Sequence, residues 1–340
     1  MTKRTCHAVF RLDAGATVGM GHFMRCNALA ATFVDNGWTV DYAVNSGGQD
    51  AVFARTGRQP LVVSSSPGSA QAMAAQWPRG VDLLVVDHYG LDADFEKACR
   101  PWAKRIAVID DMTDRTHACD VLLNPSPGID ADEYATTAPD GCQFLLGPRF
   151  ALLRPQFSSA HEGKHAAPTT ADRLLVTMGG SDPENLTGRV VEALSLRSEM
   201  PGTRIILGSA YAFGDQTKAR VKKLSDRISV YEDVDDMAAH MTWCDMAVSA
   251  SGSTTWELCA MGVPALYVQT ADNQNAVVRA IKEHDVGLVL GAQADVTVKD
   301  IAEGIDTLSQ DQKRREVYAV HGQALVDGQG SRRVVENFTL

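Results

Sequence analysis

The sequence lacks the features that mark membrane, nucleic-acid-binding and exported proteins. No apolar run approaches the length needed to cross a bilayer. No run of lysine and arginine occurs and the net charge is −10, which argues against a general nucleic-acid surface. The apolar stretch after the basic N-terminus is interrupted at Arg11 and Asp13, so no signal peptide is expected. We therefore predict a cytoplasmic protein, without a nucleic-acid partner or stable membrane association.

Disulfide, metal and common hydrolase motifs are also missing. The seven cysteines are odd in number and form no CxxC pair, so they are interpreted as small buried hydrophobic residues. Asp110, Asp111, His117 and Cys119 offer metal-ligand chemistry, but they lack the spacing of a defined metal site. G-x-S-x-G and P-loop lysine motifs do not occur. The sequence predicts neither a metal nor a cofactor.

Length and alternation predict two α/β domains. A chain of 340 residues is too long for one ordinary core. Near-continuous apolar runs such as Val81–Val86 alternate with helical stretches such as residues 92–103, the signature of a parallel sheet. Polar residues 158–171 are interpreted as a linker, after which the alternation begins again.

The predicted fold class is α/β, with two Rossmann-like domains whose parallel sheets face a cleft. The predicted domains cover residues 1–157 and 172–315. Residues 316–340 are expected to form a C-terminal helix that packs back on the first domain.

The first candidate loop follows the first strand and reads D-A-G-A-T-V-G-M-G-H. Gly19 and Gly21 allow close approach of a ligand to the backbone, and His22 lies at the start of the next helix. Arg25 is three residues further on and shares the helix face of His22. These residues favour a functional His–Arg pair, and the alternative is a phosphate-binding loop with an incidental histidine.

Two more candidate loops also follow strands. Asp87 could orient His22 or a sugar hydroxyl, or it could cap the next helix. In the second half, Gly179, Gly180 and Ser181 are suited to contact phosphate. Asp182 precedes a proline and could be explained by helix capping alone.

A fourth loop joins a strand to a helix near residue 254. Its hydroxyls, backbone N–H groups and helix N-terminus predict an anion site, with four candidate residues: Ser251, Gly252, Ser253 and Thr254. Glu257 lies one turn into the helix and could accept hydrogen bonds from ribose hydroxyls, or act as a capping-box partner. Asn273 and Gln274 belong to a polar cluster that begins the next helix.

Together these stretches resemble a known enzyme family. The segments that carry the resemblance are F-R-L-D, G-M-G-H-F-M-R, V-V-D-H-Y-G-L, I-D-D, H-A-C-D-V-L-L-N, F-A-L-L-R-P-Q-F, M-G-G-S-D-P-E-N and S-G-S-T-T-W-E-L. These segments run in order from residue 10 to about 275, and in them the chain resembles the UDP-2,4-diacetamido-2,4,6-trideoxy-β-L-altropyranose hydrolases, which release UDP in pseudaminic acid biosynthesis. That family is similar to the GT-B glycosyltransferases, above all to the one that adds N-acetylglucosamine in peptidoglycan synthesis.

The resemblance implies metal-independent hydrolysis of the sugar C1–O bond with inversion. It implies that His22 is the main catalytic residue and Asn273 a second one. It also implies that Glu257 holds the uridine ribose, while Ser253 and Thr254 hold the diphosphate. One departure concerns the residues after Asn124, where the family pattern has Gln-Asn and this chain has Pro-Ser.

The chemistry expected of these residues is attack of water on C1 as UDP leaves. A histidine side chain ordinarily titrates near neutrality, so His22 can serve as the base. Asp87 or Tyr89 is expected to position the water or the sugar. Three alternatives stay open: a GT-B glycosyltransferase, a different UDP-sugar hydrolase or epimerase, and a non-catalytic sugar-nucleotide-binding protein. A monomer is expected.

Overall fold

The computed structural model describes residues 4–15, 20–161, 168–197 and 199–338, and it leaves the side chain of Asn273 undescribed. The chain divides into two compact units, which are Met1–Pro155 with Gln329–Leu340, and Gln156–Gly328. Both are parallel sheets with helices on their faces.

The described strands all belong to these two sheets. In chain order they are β1 (His7–Leu12), β2 (Thr39–Val44), β3 (Leu61–Val62), β4 (Val81–Asp87), β5 (Ala103–Ile109), β6 (Val121–Asn124), β7 (Gln143–Leu146), β8 (Arg173–Thr177), β9 (Gly202–Leu207), β10 (Ile228–Glu232), β11 (Met246–Ala250), β12 (Ala265–Gln269) and β13 (Leu288–Ala292).

The described helices connect the strands or follow them. In chain order they are α1 (Gly21–Asp35), α2 (Gln49–Thr56), α3 (Ser69–Gln76), α4 (Ala93–Cys99), α5 (Pro155–Ala160), α6 (Leu186–Ser195), α7 (Gly214–Leu224), α8 (Met237–Trp243), α9 (Thr254–Ala260), α10 (Asn275–Glu283), α11 (Val298–Gln310), α12 (Gln312–Leu325) and α13 (Gly330–Glu336). Single 3-10 turns cover Ser46–Gly48, Ala131–Tyr134, Pro148–Phe150 and Asp272–Gln274.

The first sheet has the strand order β3-β2-β1-β4-β5-β6-β7, and all its neighbouring strands are parallel. Strand β4 is apolar on both faces because helices cover both, and the buried side chains form one cluster on each side of the sheet. The chain runs outward from β1 to β3 and then returns to place β4 on the other side of β1. The loops after β1 and β4 therefore lie at the switch point, where open α/β sheets bind their ligands.

The second sheet has the order β10-β9-β8-β11-β12-β13, again parallel throughout. Its switch point lies between β8 and β11. The glycine-rich loop after β8 and the serine-rich loop after β11 therefore begin at neighbouring strand ends.

The C-terminal helices are shared between the two units. Helix α13 packs on α1 in the first unit, where the rings of Phe33 and Phe338 lie 5.9 Å apart. Helix α12 packs on α9 in the second unit. There the buried Arg315 donates hydrogen bonds to the carbonyl oxygens of Leu308 and Ser309 at 2.7 and 2.6 Å, and to that of Thr169 at 3.1 Å. The last part of the predicted linker is thereby fixed to α12.

Two predicted boundaries are wrong. The helix expected over residues 92–103 ends at Cys99, because Pro101 follows and Ala103 already belongs to β5. Its start was placed correctly, since Asp92 accepts a hydrogen bond from the Asp94 N–H at 3.0 Å and caps α4. The linker expected from residue 158 begins inside α5, whose Phe157 is fully buried.

Candidate functional site

The candidate catalytic residues of the first unit meet at the switch point between β1 and β4. His22 lies in the first turn of α1 and is 7% exposed. Asp87 is the last residue of β4 and is fully buried. The Nδ1 atom of His22 lies 2.6 Å from the Asp87 Oδ1 atom. Of the two roles considered for Asp87, the structure therefore favours contact with His22, whereas Asp92 caps the following helix.

Arg25 binds Asp87 with two parallel hydrogen bonds. Its Nε and Nη2 atoms each lie 2.6 Å from a carboxylate oxygen of Asp87, and its Nη1 atom donates to Asp111 Oδ2 at 2.9 Å. Burial raises the pKa of Asp87, but the charges and hydrogen bonds of Arg25 and His22 outweigh burial and hold it below its usual range. Asp87 is therefore ionised at neutral pH.

This network assigns the proton on the His22 ring. An ionised carboxylate 2.6 Å from Nδ1 requires a proton between the two atoms. The Nη2 atom of Arg25 is also 3.2 Å from Nδ1, but its shorter contact is with Asp87. Nδ1 accordingly donates to Asp87, and in the neutral ring Nε2 is the basic nitrogen. No described residue is hydrogen-bonded to that nitrogen.

Tyr89 lies beside His22 and is 45% exposed. The two rings meet edge to face, with centroids 4.6 Å apart and an angle of 74°. The Tyr89 hydroxyl donates to Asp111 Oδ2 at 3.4 Å. Burial and the neighbouring Asp111 carboxylate raise the pKa of Tyr89 to about 12, so the phenol stays protonated and remains a donor.

Two contributing residues, Asp13 and His88, were not singled out from the sequence, and a third, Asp111, was considered there only as a metal ligand. Asp13 Oδ2 lies 3.0 Å from His88 Nε2, and Asp111 contacts both Arg25 and Tyr89. All three stand directly after strands or one residue further on, so their place at strand ends was the available signal.

Asp110 and His117, two of the residues considered as metal ligands, belong to a structural ion network. Asp110 is buried against the guanidinium of Arg115 and accepts from the Tyr134 hydroxyl at 3.1 Å. The Nδ1 atom of His117 lies 2.9 Å from Glu96 Oε1, and its Nε2 atom lies 3.8 Å from Asp110 Oδ2. Within the ranges that the structure describes, no group of three or more His, Cys, Asp and Glu side chains is arranged to hold a metal.

The loop that departs from the family pattern is tied to this network. Asn124 donates to the Tyr134 hydroxyl at 2.8 Å and accepts from the Ser126 N–H at 2.9 Å. Asn124 therefore shapes the loop that carries Pro125.

In the second unit, the loop after β8 holds Gly179, Gly180 and Ser181 at the surface. Gly179 has a φ of +81°, a conformation that glycine adopts without strain. The two oxygens of Asp182 accept from the N–H groups of Leu186 and Thr187, each at 2.8 Å. Asp182 thus binds the start of α6, as the capping interpretation held, although the N-cap itself is Asn185 and the helix begins at Leu186 rather than at the proline after Asp182.

The loop between β11 and α9 carries the serine and threonine candidates. Ser251 is buried and its Oγ atom has no hydrogen-bond partner among the described residues, whereas Ser253 is exposed. Ser253 makes no side-chain bond at the start of α9, and Glu257 stands half-buried in the first turn. A Cβ atom on Gly252 would lie 3.9 Å from Gln274 Nε2, so this loop adjoins the polar cluster after β12.

The remaining candidates have different positions. Gln274 is engaged locally, since its side-chain oxygen accepts from the Thr270 N–H at 2.8 Å and its amide donates to the Thr270 hydroxyl at 2.9 Å. Gly21 is the first residue of α1 and has open space around it. Gly19 lies outside the described residues, as does the side chain of Asn273, whose backbone forms part of the turn Asp272–Gln274.

Residues 174–325 match the family model described as the glycosyltransferase family 28 C-terminal domain. In the described part of the chain, no helix combines the length and apolar character that a bilayer crossing requires.

Three curated relatives are similar in sequence. An uncharacterized protein of Methanocaldococcus jannaschii is 26% identical over 196 residues, which are 54% of this chain but only 40% of that protein. The spore coat polysaccharide biosynthesis protein SpsG of Bacillus subtilis is 24% identical over 96% of both chains. The UDP-2,4-diacetamido-2,4,6-trideoxy-β-L-altropyranose hydrolase of Campylobacter jejuni is 27% identical over 72% of this chain and 85% of its own.

The crystal structure of MurG from Acinetobacter baumannii is similar in fold, with a TM-score of 0.68 at 14% identity over 98% of this chain and 99% of MurG. This likeness confirms the predicted fold class, a GT-B-like α/β protein with two Rossmann-like parallel sheets.

Proposed function

We propose that this chain hydrolyses a UDP-sugar, specifically UDP-2,4-diacetamido-2,4,6-trideoxy-β-L-altropyranose, to UDP and the free sugar without a metal ion, as a cytoplasmic monomer. The observation that carries the proposal is the His22–Asp87–Arg25 arrangement, in which an ionised, buried carboxylate fixes the ring so that Nε2 is the base. The Campylobacter jejuni hydrolase and the motifs shared with its family support the choice of reaction and sugar.

In the proposed step, the oxygen of a water molecule attacks C1 of the sugar. One proton of that water passes to His22 Nε2 as the new bond forms. The C1–O bond to the diphosphate breaks on the opposite side of C1, and its electron pair leaves with UDP, so the configuration at C1 is inverted. Asp87 stabilises the positive charge that the ring acquires, and Tyr89 is placed beside the ring to position water or sugar.

UDP is assigned to the second unit. The diphosphate is proposed to meet the exposed loop Gly179–Ser181 and the hydroxyls and N–H groups of residues 251–254. Glu257 is proposed to accept hydrogen bonds from the ribose, and Asn273 and Gln274 to complete the site. The match of residues 174–325 to a glycosyltransferase C-terminal domain and the place of both loops at the switch point support this assignment.

A second candidate is a glycosyltransferase, in which a hydroxyl group of an acceptor replaces water. The glycosyltransferase family 28 match and the likeness to MurG favour it. The same histidine would then deprotonate the acceptor, so the two candidates differ in the nucleophile.

The decisive experiment incubates the purified protein with the UDP-sugar in EDTA, without an acceptor, in H2 18O. UDP release and the first anomer formed are followed by NMR, and the label is located by mass spectrometry. The hydrolase proposal expects the label in the free sugar, because C1–O cleavage puts the oxygen of water there. Label in UDP instead would mean attack on phosphorus and would refute the mechanism.

His22→Ala is the matched test of the base, with His321→Ala as its control, because His321 is exposed on α12. We expect UDP release to be abolished in the first variant and retained in the second. Release that persists in His22→Ala would remove His22 from the proposed role. Binding of the UDP-sugar without release from the unmodified protein would favour the transferase or a non-catalytic binding protein.

A further inference from the structure

Both ring nitrogens of His88 are hydrogen-bonded. Nδ1 accepts from the backbone N–H of Gly90 at 2.8 Å, and Nε2 lies 3.0 Å from Asp13 Oδ2. A backbone amide can only donate, so Nδ1 carries no proton. The proton therefore lies on Nε2, which donates to Asp13, and the ring is neutral with a single tautomer.

Asp13 is a fixed and charged acceptor for that proton. Its Oδ1 atom lies 2.6 Å from the Nη1 atom of the fully buried Arg11, and its Oδ2 atom accepts from the Ser65 hydroxyl. Burial raises the pKa of Asp13, but the bonds from His88, Ser65 and Arg11 outweigh burial and lower it. Because Asp13 follows β1 and His88 follows β4, the pair joins the two strands of the switch point.

Hydrogen bonds of His88 fix the backbone on both sides of Tyr89. The Gly90 N–H is bound to the His88 ring, and the carbonyl oxygen of His88 accepts from the Arg115 guanidinium. Tyr89 is the residue between these two anchors, and its ring meets the His22 ring edge to face at 4.6 Å. The orientation of the half-exposed Tyr89 thus depends on a turn whose geometry the neighbouring histidine holds.

We propose that His88 is a positioning residue, whose bond to Gly90 shapes the turn that holds Tyr89 against His22, and whose bond to Asp13 anchors that turn to β1. The effect on turnover rests on the proposed function, since it requires His22 to act on the substrate. The effect on the His22 ring does not, so the two can fail separately.

The first test needs no substrate. In the long-range 1H–15N spectrum of the histidine-labelled full chain at neutral pH, we expect His88 to show an unprotonated Nδ1 and a protonated Nε2. A protonated Nδ1, or a tautomeric average, would overturn the proposal, because the Gly90 bond could not then exist as described.

Two conservative variants separate the two bonds. In His88→Asn the side-chain oxygen can still accept from the N–H two residues on, as in an Asx turn. In His88→Gln the longer amide can still donate to Asp13 but is poorly placed for the Gly90 N–H. His88→Ala loses both bonds, and Tyr89→Leu calibrates the shift that loss of the Tyr89 ring current causes at the His22 Cε1 proton.

In His88→Ala and His88→Gln we expect the chemical shift of the His22 Cε1 proton to move toward its value in Tyr89→Leu. In His88→Asn we expect it to stay near its value in the unmodified protein. Turnover of UDP-sugar should fall roughly 10- to 100-fold in kcat for His88→Ala, with a much smaller change in KM, because displaced catalytic groups lower kcat. His88→Asn should recover most of kcat.

An unchanged His22 resonance in His88→Ala would overturn the proposal. The proposal would also be overturned if kcat fell equally in all three His88 variants and in parallel with their thermal stability. That pattern is expected of a purely structural residue. If His88→Ala does not fold, the tautomer and the His88→Asn and His88→Gln spectra decide. If the unmodified protein releases no UDP, the proposed function fails, while the resonance shifts still test His88.

Discussion

The two donors on one edge of the Arg25 guanidinium, Nε and Nη2, each lie 2.6 Å from a different oxygen of Asp87. This paired geometry fixes the carboxylate as well as its charge. The Oδ1 atom of Asp87, which accepts from Arg25 Nη2, is also the oxygen that faces His22 Nδ1. The orientation and the protonation of the His22 ring are thus consequences of a contact between α1 and the end of β4.

Asp87→Asn tests whether the tautomer of His22 matters. The variant amide is expected to keep its oxygen on Arg25 Nε and to place its NH2 group where Oδ1 now faces His22, at the loss of the Arg25 Nη2 bond, so that Nδ1 becomes an acceptor and Nε2 carries the proton. The ring then cannot take a proton from water at Nε2. We expect kcat for UDP release to fall roughly 10³- to 10⁴-fold with the fold retained.

The measurement is UDP release by NMR, with circular dichroism to check folding. Asp94→Asn serves as the matched control, because the Asp94 side chain is exposed on α4 and contacts Lys97 in a surface ion pair. A kcat for Asp87→Asn within threefold of the Asp94→Asn value, on the order of experimental scatter, would remove the tautomer from the mechanism.

Arg25→Met tests the charge balance around Asp87. The variant leaves a fully buried carboxylate without its cation, and we expect the free energy of unfolding to fall by roughly 3–5 kcal/mol. Adding Asp87→Asn removes the unpaired charge, so the double variant should lose less stability than the sum of the single variants.

Urea unfolding of the four proteins measures this coupling, and Arg79→Met, at an exposed position, controls for loss of an arginine. Additive losses in the double variant would show that Arg25 and Asp87 stabilise the fold independently, against the prediction.

Much of the fold could be predicted because strand periodicity and loop composition are local. The runs that form β1, β4 and β11 and the loops after them could be read directly from the sequence. Pairs such as Asp13–His88 and Arg25–Asp111 could not, because their members are 75 and 86 residues apart. Their contact depends on which strands are neighbours, and that order is set by the path of the chain through the sheet.

The boundaries that were wrong have local causes. Helix α4 was expected to continue to residue 103, although a proline at 101 removes a backbone donor. Ala103 was assigned to this helix, but it pairs with Val81 of β4 and is the first residue of β5. Helix α5 is anchored by the buried Phe157 and continues to Ala160, so it includes the first residues of the segment whose composition indicates a linker.

The stability of the first unit should fall in alkaline solution because of His117. Burial lowers the pKa of this histidine, but the carboxylates of Asp110 and Glu96 outweigh burial and raise it to about 9. In the unfolded chain the value is about 6.5. The stabilisation from protonated His117 is complete below pH 6.5 and is lost as the pH rises through 9. It is on the order of 3 kcal/mol.

The measurement is the free energy of unfolding in urea between pH 6 and pH 10, for the unmodified protein and for His117→Gln. The other titrating groups are common to both proteins, so the difference between the two curves isolates His117. Parallel curves over this range would show that the histidine does not hold its extra proton in the folded state.

Gly208→Ala tests whether the loop after β8 binds the nucleotide. Gly208 follows β9, and a Cβ atom built on it would overlap the backbone carbonyl group of Gly180. The same carbonyl accepts from the Ala210 N–H at 3.1 Å, so the two loops are in direct contact. A backbone group cannot move aside as a side chain can, and we expect the loop Gly179–Ser181 to be displaced at a cost of about 1–3 kcal/mol in stability.

If this loop contacts the diphosphate, its displacement removes hydrogen bonds to a charged ligand, and the Kd for UDP should rise roughly tenfold or more in calorimetric titration. Gly214→Ala, in the first turn of α7, is the matched control, because its new methyl group would lie 3.3 Å from the flexible Glu232 side chain and 3.9 Å from the Leu207 side chain, and no backbone group would be displaced. Alanine favours a helix over glycine, so this control should keep its stability and its UDP affinity. Lower stability of Gly208→Ala with unchanged UDP affinity would separate the loop from the nucleotide, and residues 251–254 would then have to hold the diphosphate alone.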